Sequence, residues 1–203
     1  MKRIGLLGCG AIGTQIAIAI DTGIIQAQLT HIFDTDKKTA ENLVTKLKQK
    51  PIIVENVHLL SSNPVDLIVE AASQQAVSDN ALSILQNRRD LMIMSAGALL
   101  DESVFEIISD ACSEFKKTVY LPSGAISGID AIKSARNELE SVTITTTKHP
   151  RSLKGAKFFE ASNLDIDNIS DETIIFEGTA SEAVRLFPKN VNVSALLLSL
   201  IHI

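Results

Sequence analysis

Met1-Lys-Arg-Ile-Gly-Leu-Leu-Gly-Cys-Gly-Ala-Ile-Gly-Thr14 is the stretch that decides the fold. The apolar run from Ile4 to Leu7 passes directly into Gly8-Cys9-Gly10-Ala11-Ile12-Gly13. Beyond it Ile16, Ala17, Ala19 and Ile20 recur at helical spacing around a polar Gln15. A strand, a glycine turn and a helix, in that order, give Gly-x-Gly-x-x-Gly the context of a dinucleotide-binding fingerprint. Gly8 permits the sharp turn, and Gly10, lacking a Cβ, lets a pyrophosphate reach the backbone. Gly13 lets the helix pack closely on the strand. The free N–H groups around Ala11 and Ile12, at the positive end of the helix dipole, then face the phosphates.

Working outward, residues 26–33 read as a second strand that ends at Asp34, 21 residues past Gly13. An acidic residue at that place grips the adenosine ribose hydroxyls in such folds. The competing role is a helix cap, for which Asp36 is better placed ahead of the polar helix 37–48. Asp34 repels a 2′-phosphate and so favours NAD, while Lys37 and Lys38 beside it leave NADP open. One or two short strands fall within 51–60. A strand over 64–69 runs into Glu70-Ala71-Ala72-Ser73, with a helix over 74–86. The next strand, 90–94, closes in Ser95-Ala96-Gly97-Ala98 and leads to a helix over 101–116. A strand over 118–121 ends in Pro122-Ser123-Gly124-Ala125. This alternation predicts an α/β, Rossmann-type doubly wound parallel sheet. The small-residue turns at Ala72-Ser73, 95–97 and 123–125 lie where such sheets bind ligands, so together they read as one wall of a cofactor cleft. Taken singly, each is also ordinary α/β turn chemistry.

After residue 125 the rhythm changes. A helix is expected over 126–139 and a half-solvated strand over 142–147, where Val-Thr-Ile-Thr-Thr-Thr alternates. An acidic loop spans 163–171, a strand 173–176, a short helix 179–186 and a last helix 194–199, with Pro188 between the two helices. The division expected is a dinucleotide-binding domain over 1–125 and a smaller, incomplete α+β substrate domain over 126–203.

Composition narrows the function. The 203 residues carry a formal charge of −5, without a basic block, and only 4% aromatic side chains. Both argue against a nucleic-acid partner. Cys9 and Cys112 are two distant thiols, which points to a reducing, cytoplasmic setting. His31, His58, His149 and His202 are scattered, so no metal site is expected. The segment after Lys2-Arg3 is too short for a signal core, and no apolar run is long enough for a membrane span.

Four stretches together resemble the L-aspartate dehydrogenase family: Glu70-Ala-Ala-Ser-Gln-Gln-Ala-Val77, Ser123-Gly-Ala-Ile-Ser-Gly-Ile-Asp-Ala-Ile132, Phe176-Glu-Gly-Thr-Ala-Ser-Glu-Ala183 and Phe187-Pro-Lys-Asn-Val-Asn-Val193. The glycine loop and Asp34 fit the same family. The resemblance implies oxidation of L-aspartate to iminoaspartate with NAD or NADP, the imine yielding oxaloacetate and ammonia or feeding NAD synthesis. It also implies a homodimer for the full-length enzyme. By position it assigns Ala125 to the nicotinamide part of the cofactor and one of Asn190 and Asn192 to the cofactor as well, either of which could instead cap a helix. Lys189 and Lys148, with Arg151 and Lys154, are candidates for holding the substrate carboxylates. The family's acid/base histidine lies in an Asn-x-His-Glu-Ile segment some 25 to 30 residues beyond Asn-Val-Asn-Val. This chain ends about ten residues past that motif, and His202, without a following Glu, does not match it. The expectation is therefore a truncated member whose catalytic residue is unassigned. Two other readings are a catalytically impaired dinucleotide-binding remnant and an enzyme like homoserine dehydrogenase or dihydrodipicolinate reductase.

Overall fold

Each of the first two crossovers is built by a short apolar strand followed by a helix with one apolar side. β1 (Lys2–Leu7), α1 (Ala11–Asp21), β2 (Ala27–Phe33), α2 (Lys37–Lys46) and β3 (Ile52–Ile53) form the first half of a sheet. α3 (Val57–Ser62), β4 (Leu67–Glu70), α4 (Gln74–Gln86), β5 (Asp90–Ile93), a 3₁₀ turn (Ala96–Leu100), α5 (Glu102–Phe115) and β6 (Val119–Tyr120) complete it. In this computed structural model residues 1–124, 128–162, 164–187, 192 and 194 are described. The chain divides into two compact units, Met1–Pro122 and Ser123–Ile203.

The first unit is a six-stranded sheet in the order β3-β2-β1-β4-β5-β6. Every pairing is parallel. A parallel sheet needs helices on both faces, and its strands must then be apolar on both sides. β1 shows how. Ile4 and Leu6 enter the core beneath α1 and α2 with Ala17, Ile20, Leu29, Ile32 and Leu43. Leu7 faces the opposite core, with Leu60, Ile68, Val77, Ile84, Leu85 and Ile108. On β4, Ile68 and Val69 divide between the two cores in the same way. The strand order reverses between β1 and β4, and the carboxyl ends of those two strands carry the glycine loop and Ala71.

One difference from the sequence expectation falls here. Within 51–60 only Ile52–Ile53 is a strand, and Val57–Ser62 is a helix whose N-cap, Asn56, accepts a hydrogen bond from the Leu59 N–H at 2.8 Å. The apolar pair Leu59-Leu60 resembles a strand, but a capping Asn three residues ahead outweighs it.

The second unit holds α6 (Ile129–Ala135), α7 (Phe158–Ala161) and α8 (Ala180–Leu186), with 3₁₀ turns at Arg136–Glu138, Pro150–Leu153 and Ile166–Asn168. Its best-packed feature is a cluster of four phenylalanines. Phe158 stacks on Phe187 with ring centroids 5.3 Å apart, and Phe159 and Phe176 meet that pair edge-on. α8 begins with a capping box in which the Thr179 N–H donates to the Glu182 carboxylate at 2.8 Å. A Cβ on Gly178 would run into the Phe176 ring and that same carboxylate, so a larger residue here would oblige both side chains to shift. The strands expected over 142–147 and 173–176 are not formed among the described residues. Alternation sorts side chains to two faces but supplies no partner, and a strand persists only when a neighbour takes its N–H and C=O groups. The helix expected over 126–139 is confined to Ile129–Ala135 and its 3₁₀ extension, with residues 126–127 outside the described part. The expected last helix lies almost wholly outside it.

Candidate functional site

The glycine loop is stitched into the switch point by backbone hydrogen bonds. The Gly8 N–H donates to the Phe33 carbonyl at the end of β2, and the Ala71 N–H donates to the Leu7 carbonyl, each at 2.8 Å. The three glycines then separate by cause. Gly8 has φ +97°, and a Cβ there would sit 2.7 Å from the Ala71 carbonyl. A Cβ on Gly13 would strike the Gly8 carbonyl oxygen. Gly10 is different, since a Cβ there would meet no atom within 4 Å. Among the described residues nothing asks for glycine at position 10, which is where a dinucleotide's pyrophosphate approaches the backbone in folds of this kind.

α1 starts at that point with an open end. Its N-cap, Gly10, offers no side-chain acceptor, and its first turn has no acidic residue. The other long helices are closed by side chains, α2 by Asp36, α4 by Ser73 and α5 by Asp101. The uncapped N–H groups of α1, backed by the helix dipole, are an anion-binding arrangement.

Two clefts of about 440 Å³ flank the loop. One runs between α1 and α2, past Gln15, Asn42 and Lys46. The other opens over the carboxyl ends of β1, β2 and β4, and contains Gly8, Gly10, Asp34, Ala72 and Ser73. The second has the position at which open α/β sheets bind ligands. It brings together five of the residues singled out in the sequence, and Ala11 and Ile12 line the first cleft on the far side of the loop. Asp34 is fixed at its rim. One carboxylate oxygen accepts from the Cys9 N–H at 2.7 Å and the other from the Asp36 N–H at 2.9 Å, while Asp36 alone caps α2. Those bonds aim the carboxylate at the cleft and leave lone pairs for ribose hydroxyls.

Cys9, in the middle of the loop, is held as the neutral thiol. Burial, reinforced by the nearby Asp34 charge, pushes its thiol up to about 12. His149 caps the 3₁₀ turn at Pro150–Leu153 through its Nδ1, which accepts from the Arg151 N–H at 3.2 Å. Lys148 and Asn192 are exposed. Lys154, another anion candidate, is already paired with Asp167 at 2.8 Å. Ala125, Lys189, Asn190 and His202 lie outside the described residues.

Glu70 is a buried residue beside the cleft to which the sequence alone assigns no role. It is 1% exposed, and its carboxylate accepts from the Ala72 and Ser73 N–H groups and from the Ser95 N–H and hydroxyl. Ser95 is itself buried rather than lining the cleft. The available signal was an acidic residue closing an apolar strand, Leu-Ile-Val-Glu, just before a run of small residues.

Comparison with known proteins agrees with this geometry. The NAD-binding domain of homoserine dehydrogenase matches residues 8–122, and the C-terminal domain of aspartate dehydrogenase matches residues 130–202. An L-aspartate dehydrogenase of Nitrosopumilus maritimus is 64% identical over 197 residues, 97% of this chain and 72% of its own length. One from Methanococcoides burtonii is 45% identical over 97% of this chain and 73% of its own. The crystal structure of aspartate dehydrogenase from Thermotoga maritima superposes with a TM-score of 0.74 at 27% identity, covering 99% of this chain and 74% of that one. Among the described residues no helix is long and apolar enough to cross a membrane. The fingerprint loop, the parallel sheet around it and a relative sharing nearly two residues in three lead to one conclusion: this chain belongs to the L-aspartate dehydrogenase family, as an oxidoreductase with a nicotinamide-dinucleotide-binding domain.

Proposed function

We propose that the protein oxidises L-aspartate to iminoaspartate with NAD, the imine hydrolysing to oxaloacetate and ammonia or entering the synthesis of NAD. The observation that carries this reading is the uncapped start of α1 beside Asp34, in a chain 64% identical to an L-aspartate dehydrogenase. The residues fit a dinucleotide because Gly10 leaves open space where a pyrophosphate approaches. When bound, the nicotinamide ring supplies the hydride acceptor. The chain supplies the rest. The backbone of Gly8, Gly10, Ala11, Ile12 and Gly13 holds phosphate, and Asp34 takes the ribose hydroxyls. Ala72 and Ser73 form the adjoining wall. Like-charge repulsion between Asp34 and a 2′-phosphate makes NAD the preferred cofactor over NADP.

By family position Ala125 serves the nicotinamide part and one of Asn190 and Asn192 contacts the cofactor, while Lys189 and Lys148 are the cationic candidates for the carboxylates of aspartate. No described residue is assigned as the acid/base. The protein acts in the cytoplasm as a homodimer in this reading, in keeping with Cys9 and Cys112 being free thiols. The test is spectrophotometric, following NAD reduction with L-aspartate and NADH oxidation with oxaloacetate plus ammonium. Turnover in both directions, with NADH bound more tightly than NADPH, is expected. NAD reduction with another amino acid or hydroxy acid but not with L-aspartate would overturn the substrate assignment, and NADH binding without turnover in either direction would favour the impaired dinucleotide-binding remnant.

A further inference from the structure

We propose that Glu70 is a positioning residue for the nicotinamide half of the cofactor, acting through the turn at residues 95–97. The inference rests on the reading of the cleft as a dinucleotide site.

Among the described residues Glu70 is the one buried acidic side chain, and its hydrogen-bond partners are all uncharged donors from two strand ends. Oε1 accepts from the Ala72 N–H at 2.7 Å, the Ser73 N–H at 3.0 Å and the Ser95 hydroxyl at 2.9 Å, and Oε2 accepts from the Ser95 N–H at 3.0 Å. One side chain therefore sets the spacing between the turn after β4 and the turn after β5. On the other side of the second turn the Gln74 amide lies against Gly97, where a Cβ would oblige that side chain to move.

Strand order says which part of a ligand this arrangement serves. With the adenosine ribose at Asp34 just past β2 and the pyrophosphate at α1 beyond β1, a dinucleotide extends across β4 toward β5. The nicotinamide half therefore approaches the end of β5, where the turn that Glu70 ties in place is itself buried and acts by setting the strand end, and the adenosine half does not.

Glutamine at this position tests the idea because it has nearly the same shape. Its NH₂ cannot replace Oε1, where two backbone N–H groups converge, so it must replace Oε2 and face the Ser95 N–H, donor against donor. The strain falls on the tie to residue 95. Binding of NADH and of ADP-ribose, which lacks nicotinamide, should be measured by titration on the 203-residue chain, with a thermal melt to establish folding. In Glu70→Gln, NADH affinity should fall by about tenfold or more while ADP-ribose stays within about threefold, because an unpaired buried donor is expensive at one place only. A purely structural role would weaken both ligands alike. Equal changes in the two, or no change in either, overturn the proposal. If Glu70→Gln does not fold, Ser95→Ala, which removes only the hydroxyl donor, decides by the same comparison. Wild-type protein binding neither ligand would instead overturn the cleft reading on which the proposal stands.

Discussion

Replacing Gly10 by alanine should weaken cofactor binding and leave the fold alone, because the fingerprint glycines answer to different demands. At Gly10 φ is −66°, an angle any residue adopts, and an added Cβ meets nothing within 4 Å. Two small backbone effects then oppose each other. Restricting the unfolded chain stabilises by about 0.4–1 kcal/mol, and placing alanine rather than glycine at a helix N-cap costs a comparable amount. The melting temperature should move by no more than roughly 2–4 °C, the equivalent of about 0.5 kcal/mol in a unit of this size. The same methyl group occupies the approach of the pyrophosphate. Losing one charge-assisted hydrogen bond to the α1 N–H groups costs about 1.5–3 kcal/mol, or roughly 10- to 150-fold in Kd. Gly13→Ala and Gly8→Ala should behave in the opposite way. A Cβ on Gly13 meets the Gly8 carbonyl, and one on Gly8 meets the Ala71 carbonyl at φ +97°. Overpacking and backbone strain together amount to about 2–6 kcal/mol at Gly8, a large share of the about 5–15 kcal/mol available to a domain. Circular-dichroism melts and NADH fluorescence titrations on the same samples separate the cases. Gly10→Ala protein that binds NADH like wild type, or that melts as early as Gly13→Ala, would refute the reasoning.

Three further outcomes are expected. Asp34→Ala should weaken NADH by about tenfold or more and narrow the gap between NADH and NADPH, and an unchanged ratio of the two dissociation constants would remove Asp34 from the ribose site. The Arg3 guanidinium and N–H hold the Asp66 carboxyl down from 3.8 to about 2. Its folded value lies below its unfolded one, so the pair's contribution is whole above 3.8 and lost as the pH falls through about 2. Asp66→Asn should flatten the acid limb of the melting curve in that window. The effect should be small, since both side chains are more than a third exposed. Finally, alkylation of the native protein at mildly alkaline pH should reach Cys112 before Cys9, with both labelled only after unfolding. Burial raises both thiols, but Cys9 is the more deeply enclosed and sits beside Asp34. Mass spectrometry of the labelled peptides reads the order, and equal labelling would contradict the enclosed loop.

The sheet was legible because each of its elements carries its own local signature. The helix expected over 74–86 forms over those residues, with Ser73 capping it, and β2 ends at Phe33 with Asp34 in place. Local signals also explain the helix at 57–62, where the Asn56 cap prevails over a β-like apolar run. Pairing is a different matter. Residues 142–147 alternate well enough for a strand, but whether a strand forms depends on a neighbour that no local pattern specifies. Glu70 was missed for the same reason. Its burial is tolerable only because donors on Ser95, 25 residues away, converge on it, and that convergence exists in the folded sheet alone. The cleft residues were readable by contrast because they lie at strand ends, whose positions follow from the alternation itself.

The aromatic inventory makes the two units optically distinguishable. The chain has no tryptophan and a single tyrosine, Tyr120, which sits on the edge strand β6 of the first unit. Four of its seven phenylalanines form the ring cluster of the second. Tyrosine emission therefore reports on the edge of the nucleotide-binding sheet. With no indole present, NADH fluorescence is read without energy transfer from tryptophan. The stacked and edge-on phenylalanines give the second unit its own near-ultraviolet dichroism, so loss of its packing can be followed while the sheet remains intact.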